Sequence, residues 1–355
     1  MNVKLAFSHL LCGCAVLLIR EFIMSENPFF GAPSSSQDRL IHLPQATELL
    51  RNLHAEAHLA PAQSINYEES TKVLILRHFH DSPFERESLI FFMKYGIRKT
   101  NFISKNVSLV IICSGGVFPH DDIKLDSNVV VIERENVGLD FGGYMDALSK
   151  LDWARSYDIV VFINGTLLGP LFPLYRLGED WLSHFTLLLT SYTRLAGITI
   201  NLHVRKRLRV IEPHVQSMLY VMERKTLEDL RSWGVFVPVP ASFSKDEVIE
   251  KYEVGTSKAL LKHGFNIASL LPVFQGVDFT KLNSSEIMRQ ALVKLAPSSR
   301  GGGDVWYHHG YFGGTLGPSD TIFVKNNRFQ WGANDILVAQ RQIFQEALTR
   351  RRRSR

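Results

Sequence analysis

Cysteine is scarce in this sequence, and the scarcity limits the ways in which the protein can be stabilised. Three cysteines occur in 355 residues, and two of them, Cys12 and Cys14, lie in an apolar stretch near the N-terminus. The third, Cys113, has no second cysteine in the body of the chain with which to pair. A disulfide framework and a cysteine-based zinc site are therefore excluded, and the fold must depend on its hydrophobic core.

A basic stripe of the kind that binds nucleic acid is also missing. The net charge is +5, but five arginines stand together in the tail, at positions 350–353 and 355. Without them the chain is close to neutral, so we expect no nucleic-acid partner. The tail is expected to be a solvated basic end, or else a contact for trafficking factors or phospholipid.

No apolar run has the length of an ordinary transmembrane helix. Residues 5–19 are apolar, with Lys4 before them and Arg20 after them. A helix over this run reaches about 23 Å, short of the hydrocarbon core of about 30 Å. This length favours a signal anchor or a signal peptide in residues 1–24, with a buried helix as the alternative. We therefore expect a secretory location, in the Golgi or ER membrane, with the rest of the chain in the lumen.

The composition divides the remainder of the chain into three parts. Residues 25–69 are polar and broken by proline, glycine and serine, as expected of a stem or linker. Residues 70–335 have the composition of one folded domain, and residues 336–355 contain a C-terminal helix and the basic tail.

The folded domain begins with short apolar runs that alternate with helical patterns. The runs are typical of buried strands and cover residues 73–76, 107–113, 129–132 and 159–163. A capping-box pattern that starts at Ser82 predicts a helix through Tyr95, and a second helix is predicted over residues 144–151. This alternation predicts an α/β fold with a Rossmann-like, mostly parallel sheet and helices on both faces.

The second half of the domain is less regular. Its patterns predict strands over residues 195–201, 217–222 and 265–273, and helices over residues 226–233, 244–264 and 334–347. A second capping box, from Ser244 to Glu247, marks the start of the middle helical region.

Polar and glycine-rich segments follow the first four predicted strands. They are residues 78–80, 114–116, 136–140 and 164–169. Ligands bind beyond the carboxyl ends of the strands in parallel sheets, so we expect the functional site there. No Gly-x-Gly-x-x-Gly follows the first strand and no P-loop lysine is present. This argues against a dinucleotide- or triphosphate-binding protein of the common kinds.

Two pairs of segments resemble a known group of proteins. Residues 136–142 read Asn-x-Gly-x-Asp-Phe-Gly, and residues 162–170 contain Phe-Ile-Asn followed by Gly-Pro. These resemble rhamnan-synthesis-F proteins and their eukaryotic relatives, and more broadly the nucleotide-binding half of GT-A glycosyltransferases. Residues 252–257 and 260–267 resemble the part of that superfamily that carries the general base. The resemblance covers residues 70–275 or so.

The resemblance implies a GT-A-like fold and a hexosyl-type glycosyltransferase. Such an enzyme moves a sugar from a nucleoside diphosphate to a hydroxyl group of a glycan or glycoconjugate. It implies Glu253 as the general base that deprotonates the acceptor hydroxyl. A surface glutamate is the plain alternative for this position. The alternative to an enzyme is a catalytically silent relative that binds glycans or protein partners.

The loop after the third predicted strand is the expected donor site. Glycine lets backbone amides approach a diphosphate closely, so Asn136, Gly138, Gly142 and Gly143 are candidate donor-binding residues. Asp140 is a candidate for holding a ribose hydroxyl, a sugar hydroxyl or a metal. The alternative role for Asp140 is the N-cap of the following helix.

The segment after the fourth predicted strand departs from the metal-dependent pattern. Metal-dependent relatives place two carboxylates there, whereas this chain has Asn164 and Thr166. Neutral oxygens are weaker ligands for Mg²⁺ or Mn²⁺. We include both residues in the donor site, and the identity of any metal ligands stays open. Cationic side chains that stabilise the leaving diphosphate are the alternative to a metal.

Four further residues are candidates for contacts with the acceptor or another substrate. Alternation in an extended segment places His214 and Gln216 on one face, where they can contact sugar hydroxyls or serve a structural role. Trp306 and His308 lie beside a run of three glycines, a pattern that predicts a mobile lid with a stacking aromatic ring.

Overall fold

The computed structural model describes most of the predicted domain. It covers residues 70–97, 106–126, 129–172 apart from 152, 180–283 apart from 203 and 206–209, and the pieces 305–307, 310–312, 316–317 and 320–328. The expected leader, stem, last helix and basic tail lie outside the described residues, as does His308. None of the helices in the described part combines the length and the apolar character needed to cross a bilayer.

Thirteen strands occur in the described residues. In chain order they are β1 (Val73–Phe79), β2 (Val107–Ser114), β3 (Val129–Arg134), β4 (Ile159–Ile163), β5 (Leu167–Leu168), β6 (Thr193–Gly197), β7 (Ile200–Asn201), β8 (Val204–Arg205), β9 (Val210–Ile211), β10 (His214–Val215), β11 (Leu219–Glu223), β12 (Asn266–Ser269) and β13 (Val324–Lys325).

The helices of the described residues are mostly short. They are α1 (Pro83–Tyr95), α2 (Leu139–Lys150), α3 (Trp153–Ser156), α4 (Ser183–Thr186), α5 (Arg224–Ser232), α6 (Lys245–Val248) and α7 (Gly255–Lys262). A π-helical segment, Ile249–Val254, joins α6 to α7. Three 3₁₀ turns complete the set: Pro272–Phe274, Phe279–Asn283 and Asn326–Arg328.

The main sheet has seven strands in the order β12-β6-β11-β4-β1-β2-β3. β1 pairs in parallel with β2 and with β4, and β2 pairs in parallel with β3. β11 is antiparallel to both of its neighbours, β4 and β6, while β12 is parallel to β6. Six of the strands therefore share one direction, and the predicted α/β class with a mostly parallel sheet is confirmed.

The core lies along the central strands and an aromatic cluster beside them. Every residue of β1 and β4 is buried, whereas β3, at the edge, is half exposed. On the core side of α2, Phe141 packs 5.5 Å from Tyr252, and Phe162 of β4 packs 5.3 Å from Phe236 (ring centroids). Such aromatic contacts add to the burial of apolar area. They fix α2, β4 and the π segment relative to one another, and these three elements carry the polar side chains described below.

Several predicted boundaries are corrected by the structure. α2 begins at Leu139, five positions before the predicted start, because Gly138 adopts a left-handed conformation (φ 73°) that turns the chain directly into the helix. The predicted strand 195–201 is two strands, β6 and β7, paired with different partners. The predicted strand 265–273 stops at Ser269 and gives way to a 3₁₀ turn.

Candidate functional site

An open cavity of about 650 Å³ lies at the carboxyl edge of the parallel strands. β11 is antiparallel, so Leu219 at its start lies opposite Ile163 at the end of β4. The residues just before β11 therefore reach the same edge, and the backbone N–H of Asn164 donates to the carbonyl of Met218 at 2.9 Å. This topology brings two distant parts of the sequence to one site.

Asp140 and Asn164 both line this cavity and contact each other. The amide Nδ2 of Asn164 donates to Oδ2 of Asp140 at 2.9 Å. The Oδ1 of Asn164 accepts from the backbone N–H of Thr166 at 3.0 Å and from its hydroxyl at 2.7 Å. The last two bonds fix the orientation of the Asn164 amide, so its N–H group points at the carboxylate. Asn164, Thr166 and Asp140 therefore form one connected polar group, as the strand-end argument predicts.

Burial controls the charge of Asp140. Desolvation raises the pKa of this carboxyl above its ordinary value, the Asn164 hydrogen bond works against that rise, and the nearby Glu253 carboxylate adds to it. The N-cap of α2 is Gly138 rather than Asp140. Asp140 is thus placed in the first turn with its side chain directed to the cavity, and the capping alternative does not apply.

The glycines of this loop allow the tight turn into α2. Asn136 lines the cavity, whereas Gly138, Gly142 and Gly143 are not among its lining residues. A Cβ on Gly142 would lie 2.0 Å from the carbonyl oxygen of Val137, so only glycine permits the tight entry into α2. The contact of Gly138, Gly142 and Gly143 with a donor stays a prediction.

Glu253 lies in the cavity wall on the π-helical segment. Segments of this type are frequent at functional sites. Its Oε2 accepts from the hydroxyl of Ser217 at 2.7 Å, and its Oε1 lies 3.6 Å from Nε2 of His214. Burial by itself would raise the pKa of Glu253, but the adjacent His214, the Ser217 hydroxyl and the charge of Lys325 outweigh it. The pKa of this carboxyl therefore lies below its ordinary value, and Glu253 is ionised at neutral pH.

His214 and Gln216 also line the cavity, and His214 lies beside Glu253. β10 pairs with β7 so that His214 lies opposite Asn201. The hydroxyl of Thr199 donates to Oε1 of Gln216 at 2.8 Å, which fixes that amide. The prediction that alternation brings both side chains to one site agrees with the structure.

A second carboxylate, Glu85, reaches the cavity from α1. Ser82 caps the helix by accepting from the N–H of Glu85 at 3.3 Å, but the Glu85 carboxylate does not complete a capping box. Its Oε2 instead accepts from the backbone N–H of His80 at 2.7 Å. Burial raises the pKa of Glu85, while the His80 hydrogen bond and the charge of Arg77 oppose that rise. The predicted role of Glu85 in a capping box is thus wrong.

His78 lies beside Glu85 at the end of β1. Burial, with the charge of Arg134 as a smaller cause, lowers the pKa of His78 to about 3. The ring is therefore neutral at any physiological pH. Its Nε2 is buried and has no hydrogen-bond partner among the described residues.

Lys325 enters the cavity from a remote part of the chain. β13 pairs antiparallel with β5, which places Lys325 opposite Leu167. Asn326 anchors this strand: its backbone N–H donates to the carbonyl of Thr166 at 2.9 Å, and its side chain donates to Oε2 of Glu87 at 2.9 Å. Lys325 and Lys245 are the cationic Lys or Arg side chains among the described lining residues.

Two remaining expectations have different outcomes. Trp306 is buried, with 2% of its surface exposed, and is not among the residues that line this cavity. Within the described ranges, no group of three or more His, Cys, Asp or Glu side chains is arranged to hold a metal ion. The identity of any metal ligands therefore stays open.

Several lining residues were not identified from the sequence. They are Glu85, Asn201, Ser217, Lys245, Glu250, Lys325 and Asn327. His78 and His80 also line the cavity, and they belong to segment 78–80, where the strand-end argument predicted the site. No local pattern distinguishes Lys325, because its position depends on a two-residue strand that pairs across more than 150 residues of sequence.

The sheet and the polar cavity at its carboxyl edge define an α/β protein with a strand-end ligand site. A sequence model of the family described as rhamnan synthesis protein F matches residues 109–295, more than half of the chain. The chain belongs to the rhamnan synthesis protein F family. The expected relationship to that family is confirmed.

Two individual proteins are similar to parts of this chain. The uncharacterized protein y4gN of Sinorhizobium fredii is 28% identical over 171 residues, which are 48% of this chain and 42% of that protein. The chain thus spans less than half the length of this relative. A solved structure, the mannosyltransferase PcManGT from Pyrobaculum calidifontis in complex with GDP-Man and Mn²⁺, has a TM-score of 0.39 and 13% identity. That similarity covers 63% of this chain and 62% of the mannosyltransferase.

Proposed function

We propose that this protein is a glycosyltransferase of the GT-A type. It transfers a hexose-type sugar from a nucleoside diphosphate to a hydroxyl group of a glycan or glycoconjugate, with Glu253 as the general base. The observation that carries the proposal is the placement of the ionised Glu253 carboxylate in the wall of the cavity that Asp140 and Asn164 also line. The family, whose description names the synthesis of a polysaccharide, is consistent with a sugar-transfer reaction.

The reaction needs three kinds of group, and the cavity supplies each of them. Glu253 accepts the proton as the acceptor oxygen attacks the anomeric carbon and the bond from that carbon to the diphosphate breaks. The leaving diphosphate carries negative charge, which Lys325 and Lys245 can stabilise. The N-terminus of α2, beside Asp140, adds backbone N–H groups that favour an anion.

Asp140 and Asn164 are assigned to the hydroxyl groups of the donor. A carboxylate accepts from a sugar or ribose hydroxyl, and the fixed Asn164–Thr166 pair limits the directions in which Asp140 can do so. His214, which lies beside Glu253, and Gln216, two residues further along the chain, are assigned to the acceptor. Attachment to a secretory membrane through residues 1–24 belongs to the same proposal.

A panel of nucleoside diphosphates and their sugars tests this function directly. A ligand that binds only the folded protein raises its melting temperature, so at least one member of the panel should stabilise the protein. The same member should be turned over when a hydroxyl acceptor or water is present. Each ligand is measured with and without Mn²⁺. If no nucleotide raises the melting temperature under either condition, the donor site proposed here is wrong.

A further inference from the structure

The imidazole of His214 is held in one tautomer by the backbone. Its Nδ1 lies 3.1 Å from the carbonyl oxygen of Glu212. A carbonyl oxygen only accepts hydrogen bonds, so Nδ1 must carry the hydrogen. In the neutral ring Nε2 then has a lone pair and no hydrogen. The Glu212 side chain is in turn fixed by an ion pair of 2.8 Å with Lys258 of α7.

The other ring nitrogen faces the proposed base. Nε2 of His214 lies 3.6 Å from Oε1 of Glu253, which is the distance of an ion pair. The lone pair of the ring nitrogen and those of the carboxylate oxygen repel each other, so this arrangement becomes favourable when a proton lies between the two atoms. Oε2 of Glu253 already accepts from Ser217. The two oxygens therefore differ, and Oε1 is the one placed to exchange a proton with the ring.

Hydrogen bonds to the backbone hold the segments that carry His214 and Glu253 next to each other. The single O–H hydrogen of Tyr220 is shared between two carbonyl oxygens, those of Val215 at 3.1 Å and Glu253 at 3.2 Å. The N–H of Val215 donates to the hydroxyl of Ser257 at 3.0 Å. β10 and the π segment are thus tied together on either side of the His214–Glu253 contact. A contact held in this way is preorganised and needs little rearrangement during a reaction.

We propose that His214 and Glu253 form one proton-accepting pair. The inference rests on the proposed function and assigns a second residue to its base. The proton of the acceptor hydroxyl passes to Oε1 of Glu253 as the acceptor oxygen bonds to the anomeric carbon, and then to Nε2 of His214. One O–H bond is lost and one N–H bond is formed, and the diphosphate leaves with the electron pair of its bond to the sugar. His214 is a positioning residue that acts through Glu253.

Charged and titratable groups surround the pair. Lys325 of β13, Asp140 of α2 and Tyr220 of β11 interact electrostatically with Glu253, and the Glu212–Lys258 ion pair lies beside His214. Only 3% of the His214 side chain is exposed, so an imidazolium there depends on the adjacent carboxylate for its stability.

The pH dependence of sugar transfer separates a proton-accepting role from a structural one. His214 holds the pKa of the Glu253 carboxyl down, so in His214→Asn the acid limb of the kcat/KM profile should move to higher pH. We also expect kcat to fall about tenfold or more with little change in KM.

Ser217→Ala is the matched control for this experiment. It removes the other hydrogen bond to Glu253 and leaves the imidazole in place. Loss of a donor makes the carboxylate more basic, so the acid limb should move to higher pH as in His214→Asn, but kcat on the plateau should stay near the native value because the imidazole is still present. If His214→Asn lowers kcat at every pH without moving the limb, the residue is only structural and the pair does not exist.

A nitrogen NMR measurement tests the pair without any turnover. In the full chain labelled with ¹⁵N-histidine, Nδ1 of His214 should be protonated and Nε2 should titrate. In Glu253→Gln, whose side chain cannot stabilise an imidazolium, that titration should move to lower pH. His80 is an internal reference, because its Nδ1 also donates to a carbonyl, that of Ser114 at 2.8 Å. Its signals should be the same in both proteins.

The two experiments distinguish failure of this inference from failure of the proposed function. An unchanged His214 titration in Glu253→Gln overturns the pair, whatever the enzyme does. If the His214 signal depends on Glu253 but the protein turns over no nucleotide sugar, the pair is supported and the proposed glycosyltransferase activity is contradicted.

Discussion

The side-chain amide of Asn164 donates a 2.9 Å hydrogen bond to the carboxylate of Asp140, and this contact joins the end of β4 to the first turn of α2. An acidic residue at position 164 would set two carboxylates against each other here. The neutral amide instead gives Asp140 a donor while Thr166 keeps the amide oriented. The site therefore holds a single buried carboxylate at the place where α2 begins.

Replacement of Asp140 by asparagine should make the fold more stable at neutral pH. Burial raises the pKa of Asp140, so the folded state prefers the neutral form, and the contribution of this group to stability is lost as the pH rises. Asparagine stays neutral and keeps an oxygen that can accept from Asn164. We expect a melting temperature higher by about 2–4 °C at pH 7.

That gain should disappear near pH 3, below the ordinary aspartate pKa of about 3.9, where the native residue is protonated in both states. Asp126→Asn, at an exposed position, is the matched control and should change the melting temperature by about 1 °C or less. An equal or lower melting temperature for Asp140→Asn at pH 7 would contradict the assigned burial.

Gly165→Ala should destabilise the protein through Glu85. An added Cβ at position 165 would lie 1.7 Å from Oε2 of Glu85 and 3.0 Å from the carbonyl oxygen of His78. We expect the free energy of unfolding to fall by about 1–3 kcal/mol, as for other overpacked sites. Denaturant titration measures this directly. Gly116→Ala is the control, because a Cβ there meets nothing within 4 Å.

The same contact can be isolated by a double-mutant cycle. If the new methyl group clashes with the Glu85 carboxylate, Gly165→Ala should lower the free energy of unfolding less in a Glu85→Ala background than in the native protein. Additive effects would show that the clash lies elsewhere.

Local sequence patterns were sufficient to predict the framework of the site. The apolar runs that became β1, β2 and β4 are nearly continuous, a pattern typical of buried parallel strands, and the run that became β3 has the same pattern although β3 is half exposed at the edge. The strand-end rule then placed Asp140 and Asn164 at one edge of the sheet, because parallel strands all end at the same edge, and the two side chains meet there although β1 and β2 lie between β3 and β4. The alternation that set His214 beside Gln216 is also a local property.

The remaining parts of the site depend on tertiary contacts that no local pattern carries. Lys325 comes from a two-residue strand that is held through Asn326. Glu85 has the sequence signature of a capping residue, but the nearby N–H of His80 competes for its carboxylate and turns it to the cavity. Trp306 lies beside a glycine run that is typical of a mobile lid, yet its side chain packs in the core. In each case long-range packing overrode a local preference.

Lys325→Met should weaken the binding of a nucleoside diphosphate and change the pH profile of transfer. A charged hydrogen bond to the leaving group is worth about 1.5–3 kcal/mol, so affinity should fall about tenfold or more. Lys325 also helps to hold the pKa of Glu253 below its ordinary value. Its removal raises that pKa, so the acid limb of the kcat profile should move to higher pH.

Lys325→Arg keeps the positive charge and is the matched control for this substitution. It should retain most of the nucleotide affinity and leave the acid limb in place. Isothermal titration with the nucleoside diphosphate and a kcat profile across pH provide the two readouts. Equal losses in the methionine and arginine variants would show that side-chain shape matters at position 325 and that its charge does not.

The most direct measurement of the central claim is the rate of sugar transfer by Glu253→Gln, compared with its affinity for the donor. The amide keeps the shape and a hydrogen-bond acceptor but cannot take the acceptor's proton. We predict that kcat falls about a hundredfold or more, while the melting temperature and the Kd for the nucleotide sugar stay close to those of the native protein. Glu228→Gln, on α5 in an ion pair with Arg224 and not among the cavity-lining residues, is the control and should transfer sugar at the native rate. Native turnover by Glu253→Gln would contradict the account.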